Sequence, residues 1–224
     1  RWDWVNANAN NDWYKVYLKP WALNQTHNLT LTGGSKTTTY YVSGGYYKQG
    51  GLLRFGNDQY DRFNVMNNIH AEPTPWMRMN FRMRFNNSKI NTPYTFSNLE
   101  GNWFHLASSR WPTWPVINPD GLYSHISKVP DFLSGARSIS SVKDLLLSGA
   151  VEMEPVKNWK INIDYSYNDQ TAKASDHDAF VYAYALDGTK YSIGDPQNSI
   201  SERVSTSNYK SANLYSSYEK ELGR

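Results

Sequence analysis

Two segments of the chain alternate between apolar and polar residues at every second position. The first, residues 76–86, has the apolar positions Met77, Met79, Phe81, Met83 and Phe85. The polar positions between them are Arg78, Asn80, Arg82, Arg84 and Asn86. The second, residues 159–168, has the apolar positions Trp159, Ile161, Ile163, Tyr165 and Tyr167. A period of two over ten or more residues predicts β-strands with one apolar and one wet face.

Five further segments follow the same rule more loosely. They cover residues 27–32, 39–47, 60–69, 145–153 and 205–218, and they are rich in Tyr, Val and Leu. Together with the two clear segments they predict about seven strands. Several of them sustain ten residues, whereas strands of soluble proteins cluster near 5–6 residues. A tilted strand that crosses a membrane needs roughly 9–11 residues.

The connections alternate between short and long. The short ones lie at 33–36, 72–75 and 154–158, and they contain Gly or Pro. The long ones cover about 49–58, 89–140 and 171–204. Short turns at one end and long loops at the other are typical of outer-membrane barrels. We therefore expect an all-β fold: an antiparallel up-and-down transmembrane β-barrel segment over residues 26–224, with a loop over residues 1–25 leading into it.

The composition fits this fold and one rival. Hydrophobic residues make up 39% of the chain, yet 15% are aromatic, with 17 Tyr and 9 Trp. Rings with a polar tip favour boundaries between water and apolar surroundings. Trp76 and Trp159 follow short turns, where an aromatic girdle would meet lipid headgroups. A soluble, secreted carbohydrate-binding β domain also exposes Trp and Tyr, and it remains the alternative.

The sequence offers little chemistry that would indicate an enzyme. It contains no nucleophile elbow, Walker loop or zinc-protease motif, and it has no cysteine. The cluster Asp176-His177-Asp178 lacks a further ligand at metal spacing, so a solvated loop is the simpler interpretation. The net charge of +3 is too small to indicate nucleic-acid binding. We expect no enzymatic activity, no cofactor, no metal and no nucleic-acid partner.

The arginine row decides how the barrel strand would be oriented. A lipid-facing Arg at the bilayer midplane costs about 2–4 kcal/mol. The candidates for the lumen face are therefore Arg78, Asn80, Arg82 and Arg84. They either contact substrate or balance acidic residues of a plug inside the barrel, or they are simply wet residues that pair with such a plug. We favour the last interpretation. The lipid-facing and girdle candidates are Trp76, Met77, Met79, Phe81, Met83, Phe85, Trp159, Ile161 and Ile163.

Three tryptophans in the connection 89–140 are candidates for contact with substrate or a partner protein. Trp103, Trp111 and Trp114 either stack on sugar rings, pack against a partner, or form a cluster within the loop itself. The sequence does not favour one of these.

Several short motifs resemble SusC-like TonB-dependent transporters. Residues 27–35 read HNLTLTGGS and residues 40–46 read YYVSGGY, as in a barrel hairpin of that family. An Asp-Trp pair at Asp12 and Trp13 precedes this hairpin, and the sequences QGGLL at 49–53, YDRFN at 60–64 and NPDG at 118–121 add support.

The resemblance implies a much larger outer-membrane protein with a plug inside a barrel of about 22 strands. Such proteins import oligosaccharides or peptides, work with a SusD-like surface lipoprotein, and are driven by the TonB complex through the plug. We expect this chain, whose ends both look like cuts, to lack the plug and to supply about seven strands in contact with outer-membrane lipid.

Overall fold

The computed structural model describes residues 9–56, 58–94, 103–185, 187–193 and 197–220, and most of them lie in β-strands. The strands are β1 (Asn24–Gly34), β2 (Thr38–Gly50), β3 (Gln59–Thr74), β4 (Met77–Pro93), β5 (Arg137–Val156), β6 (Trp159–Asp178), β7 (Tyr182–Tyr184), β8 (Lys190–Ser192) and β9 (Ser199–Tyr218). Seven of them form one antiparallel sheet in the order β1-β2-β3-β4-β5-β6-β9, and β7 pairs with β8. The predicted up-and-down sheet of about seven strands is confirmed.

Three short helices lie outside the sheet: α1 (Trp13–Tyr17), α2 (Trp103–Ser109) and α3 (Val129–Leu133). Asp12 caps α1 by accepting a hydrogen bond from the Lys15 amide at 3.3 Å. That backbone donor lowers the pKa of the Asp12 carboxyl, because it stabilises the charged form. None of the described helices has the length and apolar character needed to cross a membrane.

The strands are longer than the alternation predicts, so two long connections are shorter than expected. We expected a loop over 89–140, but β4 continues to Pro93 and β5 resumes at Arg137. We expected another over 171–204, but β6 continues to Asp178 and β9 begins at Ser199. In these extensions both faces are largely polar, so the period-two signal fades. The ladder persists because backbone hydrogen bonds do not depend on side-chain polarity.

The register shows that the strands are staggered. The β2 residue Thr38 lies in a row that passes through Ala71, Met79 and Val151 and reaches Ile163 on β6. However, β6 begins at Trp159, four residues before Ile163. With about 3.4 Å per residue and about 4.8 Å between strands, four residues over four strand spacings correspond to a tilt of about 35°. Barrel strands tilt by about 35–45°.

The buried hydrophobic core lies in the helices and connections. Its central cluster consists of Trp13, Tyr17, Leu106, Ala107, Val129 and Phe132. None of the buried hydrophobic side chains of the described residues belongs to the seven-stranded sheet. Leu29, Phe81 and Leu214 on that sheet are exposed by 77%, 42% and 73%. The sheet therefore has no covering layer on either face within the described part of the chain.

Candidate functional site

The register divides the sheet into an apolar face and a polar face. On the apolar face, one row across adjacent strands joins Tyr40, Ile69, Phe81, Gly149 and Tyr165. The next row towards the long connections joins Val42, Asn67, Met83, Leu147 and Tyr167. Side chains on successive residues point to opposite faces, so the predicted set Met77, Met79, Phe81, Met83, Phe85, Ile161 and Ile163 lies together on this face. Asn67 on β3 and Ser216 on β9 are polar residues on the same face.

The polar face carries the predicted arginine row, and two of the arginines are paired with carboxylates across the strands. Arg78 Nη1 donates to Glu152 Oε1 at 2.6 Å, and its Nε lies 3.4 Å from Glu72 Oε1. Arg84 Nη2 lies 3.7 Å from Asp144 Oδ1. Each partner comes from a neighbouring strand. The positive charges of Arg78 and Arg84 are therefore largely balanced by carboxylates within the sheet.

Arg82 differs from the other two arginines. Its Nε donates to the amide oxygen of Asn68 at 3.2 Å, and no carboxylate among the described residues lies within ion-pair distance of it. Asn80, the fourth predicted residue, lies on the same face with its Oδ1 2.8 Å from His70 Nδ1. The arginine row therefore presents one uncompensated cation.

A hollow of about 630 Å³ lies against the polar face around that cation. Its lining includes Tyr41, Asn68, His70, Arg82, Ser148 and Asp164. These side chains belong to five adjacent strands, and their donors and acceptors point to the same space. Such a surface suits hydrogen bonding to a polar ligand or to another part of the protein.

At the other end of the sheet, opposite the short turns, the helices and long connections form a packed unit that we call the loop cluster, residues 9–18, 103–136, 180–185 and 187–193. Trp13 and Tyr17 stack with ring centroids 5.6 Å apart, and Tyr17 contacts Phe132 at 5.7 Å. The Tyr17 hydroxyl donates to the buried carbonyl of Ser127. The contacts of Tyr17 with Ser127 and Phe132 join segments more than a hundred residues apart, so the long connections form an ordered unit.

The β7–β8 hairpin packs against the rest of the loop cluster. The Tyr184 carbonyl accepts from the His125 amide at 3.2 Å and from Asn118 Nδ2 at 2.9 Å. The His125 ring stacks on Tyr191 at 4.7 Å, and Lys128 Nζ donates to the Ile193 carbonyl at 2.7 Å. The connection between β4 and β5 and the connection between β6 and β9 are therefore held together.

The three loop tryptophans occupy different positions. Trp111 and Trp114 stack on each other at 5.6 Å, and Trp114 also packs against the core of the loop cluster. Trp111 is 52% exposed, while its carbonyl accepts from Trp13 Nε1 at 2.9 Å. Trp103 begins α2, and its side chain lies outside the described residues. Of the two loop tryptophans whose side chains the structure describes, Trp111 has the exposed ring and Trp114 is partly buried.

The two girdle candidates both lie at the short-turn end of the sheet. Trp76 lies in the β3–β4 turn and is 47% exposed. Trp159 begins β6, and its Nε1 donates to Ser216 Oγ on β9 at 2.8 Å.

Sequence reasoning missed the partners of the arginines and the core of the loop cluster. Asp144 and Glu152 become visible only once the β4–β5 register is known. Trp13 and Tyr17 lie on a five-residue helix, which is too short to give a periodic signal.

Comparisons with known proteins agree with the fold. No protein-family model matches the chain. TonB-dependent receptor P3 of Formosa agariphila is 25% identical over 126 residues, which cover 54% of this chain and 12% of the receptor. TonB-dependent receptor P26 of the same organism is 26% identical over 120 residues, which cover 54% of this chain and 11% of the receptor.

Solved structures of the RagAB peptide importer share the architecture of nearly the whole chain. Its closed-closed state aligns with a TM-score of 0.69 and 17% identity, covering 96% of this chain and 24% of the importer chain. Its open-open state aligns with a TM-score of 0.64 and 16% identity, covering 95% and 23%. The resemblance to SusC-like TonB-dependent transporters is confirmed, and the chain spans only a small part of the proteins that it matches.

Proposed function

Starting from this likeness to SusC-like TonB-dependent transporters, we propose that the chain forms part of the wall of an outer-membrane importer. The apolar face of the sheet contacts lipid, and the polar face with Arg78, Asn80, Arg82 and Arg84 lines the lumen. The short turns then lie on the periplasmic side, and the loop cluster lies outside the cell. The function is passive in this part of the protein: it encloses a water-filled path.

The observation that carries this proposal is the slope of the apolar belt. On the apolar face, the first charged residues towards the long connections are Lys48 on β2, Asp61 on β3 and Lys89 on β4, which share one row. From β4 onwards the series continues with Lys143 on β5, Asp169 on β6 and Lys210 on β9. Each lies one row nearer to the short turns than the one before. A boundary that is level in the membrane shifts towards the short turns from strand to strand when the strands are tilted, by about one residue per strand at a tilt of about 35°. The charged edge from β4 to β9 shifts in this direction, which is also the direction of the short turns, and its slope is about twice as steep.

The height of the belt also supports a membrane. Met77 to Phe85 span eight residue steps, which is about 27 Å along the strand and about 22 Å along the membrane normal at a tilt of about 35°. Membrane barrels carry an apolar band about 25 Å tall. A soluble β domain would have to cover this face with a second layer, and the described residues provide none.

The loop cluster is the proposed meeting point with cargo and a SusD-like lipoprotein. Trp111 supplies an exposed ring, and we include Trp103 and Trp114 as further candidates. Oligosaccharides and peptides are both proposed as cargo. RagAB, which shares this fold, is a peptide importer, and this supports peptides. Energy from TonB would act through the plug of the whole protein.

Fractionation of cells that produce the full-length transporter tests this function. We expect the protein in the outer-membrane fraction, with detergent required for its extraction. Deletion of its gene should abolish uptake of a labelled peptide or a labelled oligosaccharide, which identifies the cargo class. Recovery of the protein from a detergent-free soluble fraction would overturn the proposal and favour the secreted carbohydrate-binding domain.

A further inference from the structure

The apolar face contains a groove whose floor is a glycine. Gly149 on β5 lies directly between Phe81 on β4 and Tyr165 on β6. A Cβ placed on Gly149 would meet no atom within 4 Å, so the space above its backbone is open. The groove has a volume of about 540 Å³, and Leu147 and Tyr167 continue its wall towards the long connections. An aromatic ring on each side and a bare floor suit an extended apolar chain.

A single cation closes one end of this groove. Lys210 on β9 lines it, with its ammonium group 5.8 Å from the centre of the Tyr167 ring. The outward carboxylate nearest in register, Asp169 on β6, lies one row higher and forms no ion pair with Lys210. Within the described part of the chain, no other carboxylate pairs with it either. An exposed cation at the edge of an apolar surface favours an anionic ligand.

Gly149 and Lys210 lie at different heights along the membrane normal, so the apolar floor of the groove and its charged end meet different layers of the bilayer. Lys210 lies two strands and one row away from Gly149. At a tilt of about 35°, one row of about 6.8 Å and two strand spacings of about 4.8 Å place Lys210 about 11 Å above Gly149 along the membrane normal. That is close to half the height of an apolar band of about 25 Å. The cation therefore lies at headgroup level, and the glycine lies near the middle of the membrane.

We infer that this groove binds a phosphorylated lipid of the outer leaflet, lipid A, with an acyl chain over Gly149 and a phosphate at Lys210. The inference rests on the proposed position in the outer membrane. Lys143 and Lys89 follow along the same edge, and two carboxylates of this face accompany them: Asp169 on β6 and Asp61, which lies opposite Lys89 on β3. The three lysines exceed the two carboxylates by one positive charge, which favours an anionic headgroup.

Lipid retention by the purified full-length transporter tests the inference. The protein is delipidated in detergent, titrated with lipid A, and examined by native mass spectrometry. Lys210→Gln removes the cation, and Gly149→Leu fills the groove. Two matched controls accompany them. Lys160→Gln removes an exposed lysine from the polar face, and Gly44→Leu adds a side chain at another open glycine of the apolar face.

We expect Lys210→Gln to weaken lipid A binding about fivefold, since one lysine near an anionic membrane surface contributes about a factor of that size. Gly149→Leu should weaken it at least as much, and both controls should bind like the wild type. Equal binding by all five proteins, or equal losses in variants and controls, would overturn the inference. The inference would also be overturned if inorganic phosphate displaced bound lipid A as effectively as added lipid A does.

All variants are first located by cell fractionation. If the wild type is not in the outer membrane, the proposed function fails. If it is there but Lys210→Gln binds lipid A normally, only the lipid site fails. Should Gly149→Leu not assemble, Lys210→Gln against Lys160→Gln still decides the matter.

Discussion

The orientation of the two faces predicts a large difference between substitutions at neighbouring positions. Phe81 lies in the middle of the apolar belt, in register with Ile69 on one side and Gly149 on the other. Asn80 is the preceding residue of the same strand and points to the polar face. Phe81→Arg would place a guanidinium against lipid, whereas Asn80→Arg would add one to a surface that already carries three.

The cost at Phe81 follows from its depth. Four residue steps separate it from Met77 and four from Phe85, so it lies near the midplane of the belt. A midplane arginine costs about 2–4 kcal/mol. Each 1.4 kcal/mol is about a factor of ten, so the assembled fraction should fall by about 30- to 700-fold relative to the unassembled protein. The strand cannot shift to move this arginine out of the lipid, because backbone hydrogen bonds to the neighbouring strands fix position 81 on both sides.

The measurement is the amount of full-length transporter in the outer membrane, together with its resistance to added protease. Phe81→Arg should be nearly absent, and Asn80→Arg should remain close to the wild-type level. The reasoning is refuted if Phe81→Arg assembles normally, or if Asn80→Arg is lost to the same extent.

Three further substitutions probe other parts of the wall and the loop cluster. Glu152→Gln should change stability by no more than about 1 kcal/mol in denaturant melts, because Arg78 keeps a second carboxylate and exposed ion pairs contribute little. Tyr17→Phe should destabilise the loop cluster by about 1–3 kcal/mol, because the buried Ser127 carbonyl loses its donor; hydrogen exchange in residues 103–133 would show faster opening, while the sheet stays protected. Trp111→Ala should lower uptake of cargo by the full transporter without lowering its level in the outer membrane; unchanged uptake would exclude the ring as a contact.

The centre of each strand could be predicted from the sequence, but the strand ends could not. On β4 and β6 one face must be apolar over the height of the belt, so alternation marks the strand directly. Above the belt, residues such as Asn87 and Thr171 face outwards as polar groups, and the pattern stops although the ladder continues. Apolar and polar residues alternate because one face of the strand contacts an apolar environment. The alternation therefore stops at the edge of that environment.

The loop cluster was beyond prediction for a different reason. Tyr17 and Ser127 are 110 residues apart, and nothing in their local sequences indicates that they meet. The same holds for Tyr184 and Asn118. Long-range contacts between irregular segments leave no periodic signal. The sequence places Arg78, Arg82 and Arg84 on one face because they alternate with apolar residues. The carboxylate partners of Arg78 and Arg84 could be identified only from the register of the neighbouring strands.

The chain contains no cysteine, so single cysteines can report directly which face meets lipid. Met83→Cys and Arg84→Cys, introduced separately into a full-length transporter in which any cysteines outside this chain are replaced by serine, would each be labelled with a small fluorophore in vesicles. We predict that a quencher attached to acyl chains dims the label at position 83 and leaves the label at position 84 bright. A water-soluble quencher that enters the lumen should do the reverse. Dimming at position 84 by the lipid-bound quencher, with position 83 protected from it, would contradict the assignment of the two faces and with it the proposed wall.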